Sequence, residues 1–340
     1  MSLTTEAPTT ADHERTGLGR RLPTLGELEA AATLVYGVMP PTPQYRWPLL
    51  EQRAGTELWV KHENHTPLGA FKVRGGLVYF DHLRRTQPQL EGVVCATRGN
   101  HGQSVAFAAG RNGLRTVAVV PHGNSREKNA AMRALGAELI EEGRDFQESV
   151  GIATEIASQR GWHKMPSFNM FLVRGVGTYA LELFRHTPDL DTVYVPIGLG
   201  SGICGVMAAR DALGLRTNVV GVVSANAPAY ALSFAERHPV EHDVSTRIAD
   251  GMACRTPNTE ALSFILHGVE RVVRVSDDDV EAAMRALFAD THTVAEGAGA
   301  AALAAVLGER DRMRGRRVAV VISGGNVDTE VYGGVLRGAR

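Results

Sequence analysis

Four lysines, at positions 61, 72, 128 and 164, stand among 36 cationic residues whose remaining members are all arginine. An amine can lose its proton and attack a carbonyl, whereas a guanidinium stays protonated. Each lysine is therefore a candidate nucleophile, with coding bias as the alternative source of the imbalance. Lys72 has the most suggestive surroundings. In KHENHTPLGAFKVRGG, residues 61–76, a strand breaks at Pro67 and Gly69, and Lys72 follows Phe71 where a helical pattern begins. Desolvation and the positive end of a helix both lower an amine's pKa, which is what a Schiff-base lysine needs. Taken alone, the same segment also describes a surface lysine at a helix start.

Three further segments sit where a strand hands over to a helix. ATRGNHGQS, residues 96–104, joins Gly99 and Gly102 to the donor Asn100 and opens a helix whose free amides suit a carboxylate. PIGLGSGICGV, residues 196–206, offers a glycine loop and a helix start as a phosphate cup. Its span Gly200–Gly205 also spells GxGxxG, but a dinucleotide fold then requires an acidic residue about 20 positions on. Position 225 is Ala and the next carboxylate is Glu236, so a lone phosphate is favoured over NAD. VAVVISGGNVDTE, residues 318–330, delivers the hydroxyl of Ser323 to a Gly-Gly turn, and Glu296 in AEGAGAAAL, residues 295–303, falls in or near a first turn where its charge complements the helix dipole. Each segment has an ordinary counterpart, such as an unliganded helix start or a tight turn.

Such segments need a scaffold that gathers strand ends. The runs ELWVKHE (57–63), GVVCAT (92–97), TVAVVP (116–121), AELIE (137–141), TVYVPI (192–197), NVVGVV (218–223), RVVRV (271–275) and RVAVVIS (317–323) alternate with amphipathic stretches of helical length. That alternation predicts an α/β fold with mainly parallel twisted sheets flanked by helices, and ligands at the carboxyl ends of the strands. A chain of 340 residues suggests two domains. Residues 1–24 are polar and without period, and read as a flexible tail. The net charge of -1 provides no field for nucleic acid or anionic lipid. No signal peptide or membrane span is evident, so a cytoplasmic location is expected. Cys95, Cys204 and Cys254 lack CxxC spacing, which argues against a disulfide framework or zinc cluster.

A lysine nucleophile, a polar loop, a single-phosphate cup and a hydroxyl form the set that pyridoxal 5'-phosphate requires. In this order and spacing the segments resemble the fold type II pyridoxal-phosphate enzymes, which have a tryptophan synthase β-like architecture. The closer likeness is to the threonine/serine dehydratase (ammonia-lyase) and serine racemase branch. It runs from about residue 25 to the C-terminus, with ADGMACRTPN at 249–258 also fitting. It implies a large cofactor domain, residues 25–90 plus 171–340, and a small domain, residues 91–170. Lys72 would bind the cofactor aldehyde and shuttle the α-proton; Phe71 would pack on the ring, Asn100 would bond its phenolic oxygen and Ser323 would face its nitrogen. Gly198, Leu199, Gly200, Ser201 and Gly202 would hold the phosphate, with Glu296 also near the cofactor. Thr97, Arg98, Gly99, Asn100 and His101 would surround the substrate.

A hydroxyl opposite the pyridine nitrogen favours β-elimination over transamination. The implied reaction is dehydration and deamination of a 3-hydroxy amino acid such as L-threonine or L-serine to a 2-oxo acid and ammonia, by a lyase of amino-acid metabolism. A homodimer is the family expectation. Departures from the pattern refine this. Leu199 and Ser201 interrupt what is usually a run of glycines, and VSANAPA at 223–229 replaces the metal-binding carboxylates of racemases, so no metal is expected. Arg98 stands where racemases carry a serine base and dehydratases a small residue, which disfavours racemisation. It suggests pairing with a second anionic group on the substrate, as in 3-hydroxyaspartate. An outward-facing Arg98 or a structural salt bridge is the alternative. His101 replaces the threonine of sulfhydrylases. Threonine synthase-like β-replacement, a nicotinamide oxidoreductase and a non-catalytic cofactor binder stay open as rivals. The chain ends 14 residues after Asn326, so an appended regulatory domain is not expected.

Overall fold

The computed structural model describes residues 21–338. Of the tail inferred for residues 1–24, the first 20 residues lie outside the described ones. Thr24 instead caps the helix Leu25–Tyr36: its side chain accepts from the Glu27 amide, while its own amide donates to Glu27 Oε2 at 2.8 Å. This reciprocal pairing satisfies two otherwise orphaned donors.

Ten strands are described: β1 (Gln44–Arg46), β2 (Glu57–His62), β3 (Gly92–Ala96), β4 (Arg115–Val120), β5 (Glu138–Glu141), β6 (His163–Lys164), β7 (Thr192–Pro196), β8 (Asn218–Ser224), β9 (Arg271–Val275) and β10 (Arg317–Ile322). They form a six-stranded sheet, β1-β2-β10-β7-β8-β9, and a four-stranded sheet, β5-β4-β3-β6. Every pairing is parallel except that of β1 with β2. All eight runs read from the sequence become strands. The two additions, β1 and β6, are three and two residues long, too short for an alternation to register.

Continuous apolar strands form here because both faces are covered. In β3, Val93 and Cys95 pack with Val105, Ala108 and Met132, while Val94 and Ala96 face Ala153 and Ala157. The larger sheet is likewise enclosed, with the small-residue helix Gly297–Gly308 buried among its strands' side chains. The helix Ser201–Ala212 lies close on the helix Met170–His186: a Cβ on Gly205 would stand 2.9 Å from the Gly177 amide nitrogen. Only glycine permits that approach.

A buried ionic network ties these layers together. The Arg74 guanidinium, fully buried, donates from Nε to Glu63 Oε2 at 2.7 Å and from Nη1 to Glu182 Oε1 at 2.7 Å. Lys61 Nζ closes the network on Glu182 Oε2 at 2.6 Å and on the Thr42 carbonyl at 2.8 Å. It joins β2, the turn after it, the helix Lys72–Thr86 and the helix Met170–His186. Burial alone would raise the Glu182 carboxyl, but Arg74 and Lys61 hold it below the ordinary carboxylate range.

Candidate active site

The segments that follow β2, β3, β7 and β10 line one cavity with about 920 Å³ of empty space, its mouth included. Parallel topology explains the convergence, because it aligns carboxyl ends and leaves the helix starts pointing inward. Every site residue named from the sequence lies on its wall. Phe71 and Lys72 come after β2, Thr97 to His101 after β3, Gly198 to Gly202 after β7, and Ser323 after β10, with Glu296 beside them.

Lys72 is the first residue of the helix Lys72–Thr86. Its Nζ donates to Ser201 Oγ at 3.3 Å and stands 4.8 Å from the centre of the Phe71 ring. Burial pulls its ammonium down to about 8, with the Glu296 carboxylate opposing. The other lysines have different fates. Lys61 and Lys128 are locked to carboxylates, and Lys164 is exposed on β6. Lys72 is thus the lysine placed in the cavity without a carboxylate at ion-pair distance, among the described residues.

After β3, the Thr97 hydroxyl oxygen accepts from the amides of Gly99 at 3.0 Å and Gly102 at 2.9 Å, so it shapes the loop that carries Arg98, Asn100 and His101. Asn100 starts the helix Asn100–Arg111, whose N-cap Gly99 has no side chain to offer, and Thr97 takes the Gly102 amide of its first turn. The amides of Asn100 and His101 remain for an incoming carboxylate. Burial, and after it the charge of Lys72, pull His101 down to about 3, so its ring is neutral. The buried Nε2 of His101 has no hydrogen-bond partner.

The loop after β7 is a cup built from backbone. Gly200 adopts φ 103°, a left-handed conformation, and serves as N-cap of the helix Ser201–Ala212 without a side-chain cap. A Cβ on Gly202 would meet nothing nearer than 3.6 Å, the Phe71 ring edge. The glycine therefore leaves a space that an oxyanion next to unsatisfied amides would fill. Tyr230 fixes the loop by donating to the Leu199 carbonyl at 3.1 Å.

Glu296 differs from the role read for it at a helix start. It is the N-cap of the helix Gly297–Gly308 but makes no capping bond. Its carboxylate instead accepts from Asn100 Nδ2 at 2.6 Å and lies 2.9 Å from Lys128 Nζ, which also reaches Asp250 Oδ2 at 2.7 Å. Burial opposes the Lys128 ammonium, yet the two carboxylates hold its pKa above the ordinary lysine value. Asn326 Nδ2 donates to Asn100 Oδ1 at 2.9 Å, so the Asn100 amide is held from both ends. Sequence reasoning missed Lys128, Asp250, Tyr230 and Asn326 as parts of the site. The scarcity of lysine flagged Lys128, and ADGMACRTPN contains Asp250, but nothing local tied them to Glu296.

A depressed amine, an open backbone anion cup and an orphaned buried imidazole nitrogen fit an aldehyde that carries a phosphate. Among the described residues no group of three or more His, Cys, Asp or Glu side chains is arranged to hold a metal ion. No helix among them is long and apolar enough to cross a membrane.

Comparison with known proteins agrees with this chemistry. A family model described as pyridoxal-phosphate dependent enzyme matches residues 35–324. An L-threonine ammonia-lyase of Thermotoga maritima is 32% identical over 314 residues, which is 92% of this chain and 78% of that protein. Among solved structures, the processed form of threonine deaminase isoform 2 from Solanum lycopersicum superposes with a TM-score of 0.82 at 27% identity, covering 94% of this chain and 95% of that one. A pyridoxal 5'-phosphate-dependent aspartate racemase superposes with a TM-score of 0.84 at 28% identity, covering 92% and 98%.

Proposed function

The chain belongs to the pyridoxal-phosphate dependent enzymes, and from that premise we propose that it dehydrates and deaminates a 3-hydroxy amino acid, in the first instance L-threonine or L-serine. The products are a 2-oxo acid and ammonia. The observation that carries this reading is the lowered, cavity-facing Lys72 amine between a phosphate-sized cup and a helix start whose first two amides are free. Relatives named as threonine ammonia-lyase support the choice of reaction.

Pyridoxal phosphate, when bound, draws electron density from the substrate's α-carbon and so makes the α-proton acidic. Lys72 holds the cofactor between turnovers, and its Nζ then takes the α-proton, since an amine with pKa about 8 is partly neutral near pH 7. Elimination breaks the Cα–H and Cβ–O bonds. The hydroxyl departs as water with a proton returned from Lys72 Nζ. The released enamine takes up one water and loses ammonia, so the atoms balance without an oxidant. The loop Gly198–Gly202 would hold the phosphate through backbone amides, and Phe71 closes one side of the cavity. Asn100, clamped by Glu296 and Asn326, would offer its remaining amide hydrogen to the ring oxygen, and the Ser323 hydroxyl would serve the ring nitrogen. The amides at the start of the helix Asn100–Arg111 orient the substrate's α-carboxylate.

The test is direct. Purified holoenzyme given L-threonine or L-serine should release equimolar 2-oxo acid and ammonia. Reduction of NAD with an alcohol, or cofactor binding without turnover of any 3-hydroxy amino acid, would contradict the reading.

A pH dependence follows from Lys72. Only the neutral amine attacks an aldehyde, so cofactor-free protein should capture added pyridoxal phosphate at a rate that climbs about tenfold per pH unit below pH 8 and levels off above it. Stopped-flow absorbance measures this. A rate still climbing toward the ordinary lysine value of 10.5 would show that the cavity does not lower this amine.

We take residues 91–170, which contain the four-stranded sheet, as the smaller domain, and residues 25–90 with 171–340 as the larger. A homodimer and a cytoplasmic location complete the proposal. The half-exposed apolar side chains of Tyr45 and Leu49 offer surface for a second copy.

A further inference from the structure

Arg98 stands two residues beyond the end of β3 and lies on the cavity wall. It is half-buried, and its Nε is buried without a hydrogen-bond partner. Among the described residues no carboxylate forms an ion pair with it. It is therefore not a structural salt bridge among the described residues, and its Nε is shut off from solvent. The cavity's own carboxylates offer no counter-charge, because Glu296 and Asp250 are both engaged by Lys128. A planar guanidinium with an unsatisfied buried N–H, held in a cavity of low polarity, is matched best by a carboxylate that it can bind through two parallel hydrogen bonds.

In that reading the substrate's α-carboxylate already has a place at the free amides of Asn100 and His101, which start the helix Asn100–Arg111. A neutral threonine or serine side chain would leave the buried Nε of Arg98 unpaired, which is costly. We propose that Arg98 binds a second anionic group on the substrate side chain, so that the preferred substrate is a dianionic 3-hydroxy amino acid. This rests on the dehydration reading above. The reaction is otherwise unchanged: Cα–H and Cβ–O break, water leaves and then re-enters, and the products are a dicarboxylic 2-oxo acid and ammonia.

The experiment compares holoenzyme of the native chain, Arg98→Ala and Arg98→Lys with L-threonine and with 3-hydroxyaspartate as the dianionic probe. In parallel, L-aspartate and L-alanine, which carry no β-hydroxyl to eliminate, are titrated while the cofactor absorbance is followed. The native enzyme should prefer 3-hydroxyaspartate in kcat/KM. Arg98→Ala should lower the ratio of the two kcat/KM values by about a hundredfold, and Arg98→Lys should recover part of it. Aspartate should bind at least about tenfold more weakly to Arg98→Ala, with a smaller change for alanine. Equal losses on both substrates would assign Arg98 to the α-carboxylate or to the fold and overturn the inference. So would native enzyme that dehydrates threonine but not the dianion, with the dehydration reading left intact. If neither amino acid yields a 2-oxo acid, the dehydration reading fails, and the aspartate titration alone decides whether Arg98 holds the second charge.

Discussion

Lys72→Ala should purify as a folded protein that lacks the cofactor's absorbance and turns over 3-hydroxy amino acids more than about 10⁴-fold more slowly than the native enzyme. The loss is large because one atom serves two purposes. In the proposed mechanism Lys72 Nζ anchors the cofactor aldehyde, and the same nitrogen receives the α-proton. No neighbouring group can replace it. Lys128 is held protonated by Glu296 and Asp250, and His101 is neutral but pulled down to about 3, too weak a base for an α-proton. Circular dichroism and a thermal melt would separate loss of chemistry from loss of fold. Residual activity within about a hundredfold of native would remove Lys72 from the mechanism.

Arg74→Met should destabilise the protein by about 3–5 kcal/mol, the cost of breaking a buried ionic network from one side. Arg74 donates to two carboxylates, Glu63 and Glu182, and to Thr178 Oγ1 at 2.9 Å. Without it, two buried carboxylates share the single ammonium of Lys61. The pH dependence has a definite sign. Glu182 is lowered in the folded state, so its contribution is present above the ordinary carboxylate pKa and is lost as pH falls through the lowered value. The variant, lacking the group that lowers it most, should therefore lose stability at a higher pH than native protein does. Urea unfolding at neutral and acid pH measures both effects. Arg74 also sits two residues after Lys72 in the same helix, so the network fixes the backbone that carries Lys72. A variant as stable as native would show that packing alone holds that helix.

Much of the scaffold was legible because parallel strands buried on both faces, such as GVVCA in β3, announce themselves as continuous apolar runs. The cavity was legible for a related reason. Each chemical segment sat at the end of such a run, and parallel topology brings those ends together. What escaped was pairing at a distance. Lys61, Glu63, Arg74 and Glu182 meet only after two helices and a strand have packed, and no local pattern marks them as partners. Glu296 was placed at a helix start, where dipole complementarity is the local expectation, but its side chain turns to Asn100 and Lys128 from segments far earlier in the chain. The edge pairing of β1 with β2 was invisible because three residues cannot show a period.

The most direct measurement is the site of borohydride labelling. Native protein charged with pyridoxal phosphate, reduced, digested and mapped by mass spectrometry should carry the label on the peptide containing Phe71 and Lys72, with loss of the cofactor's visible absorbance. Label on Lys61, Lys128 or Lys164, or no label on a chain that remains able to release 2-oxo acid, would contradict the assignment of Lys72 as the covalent anchor.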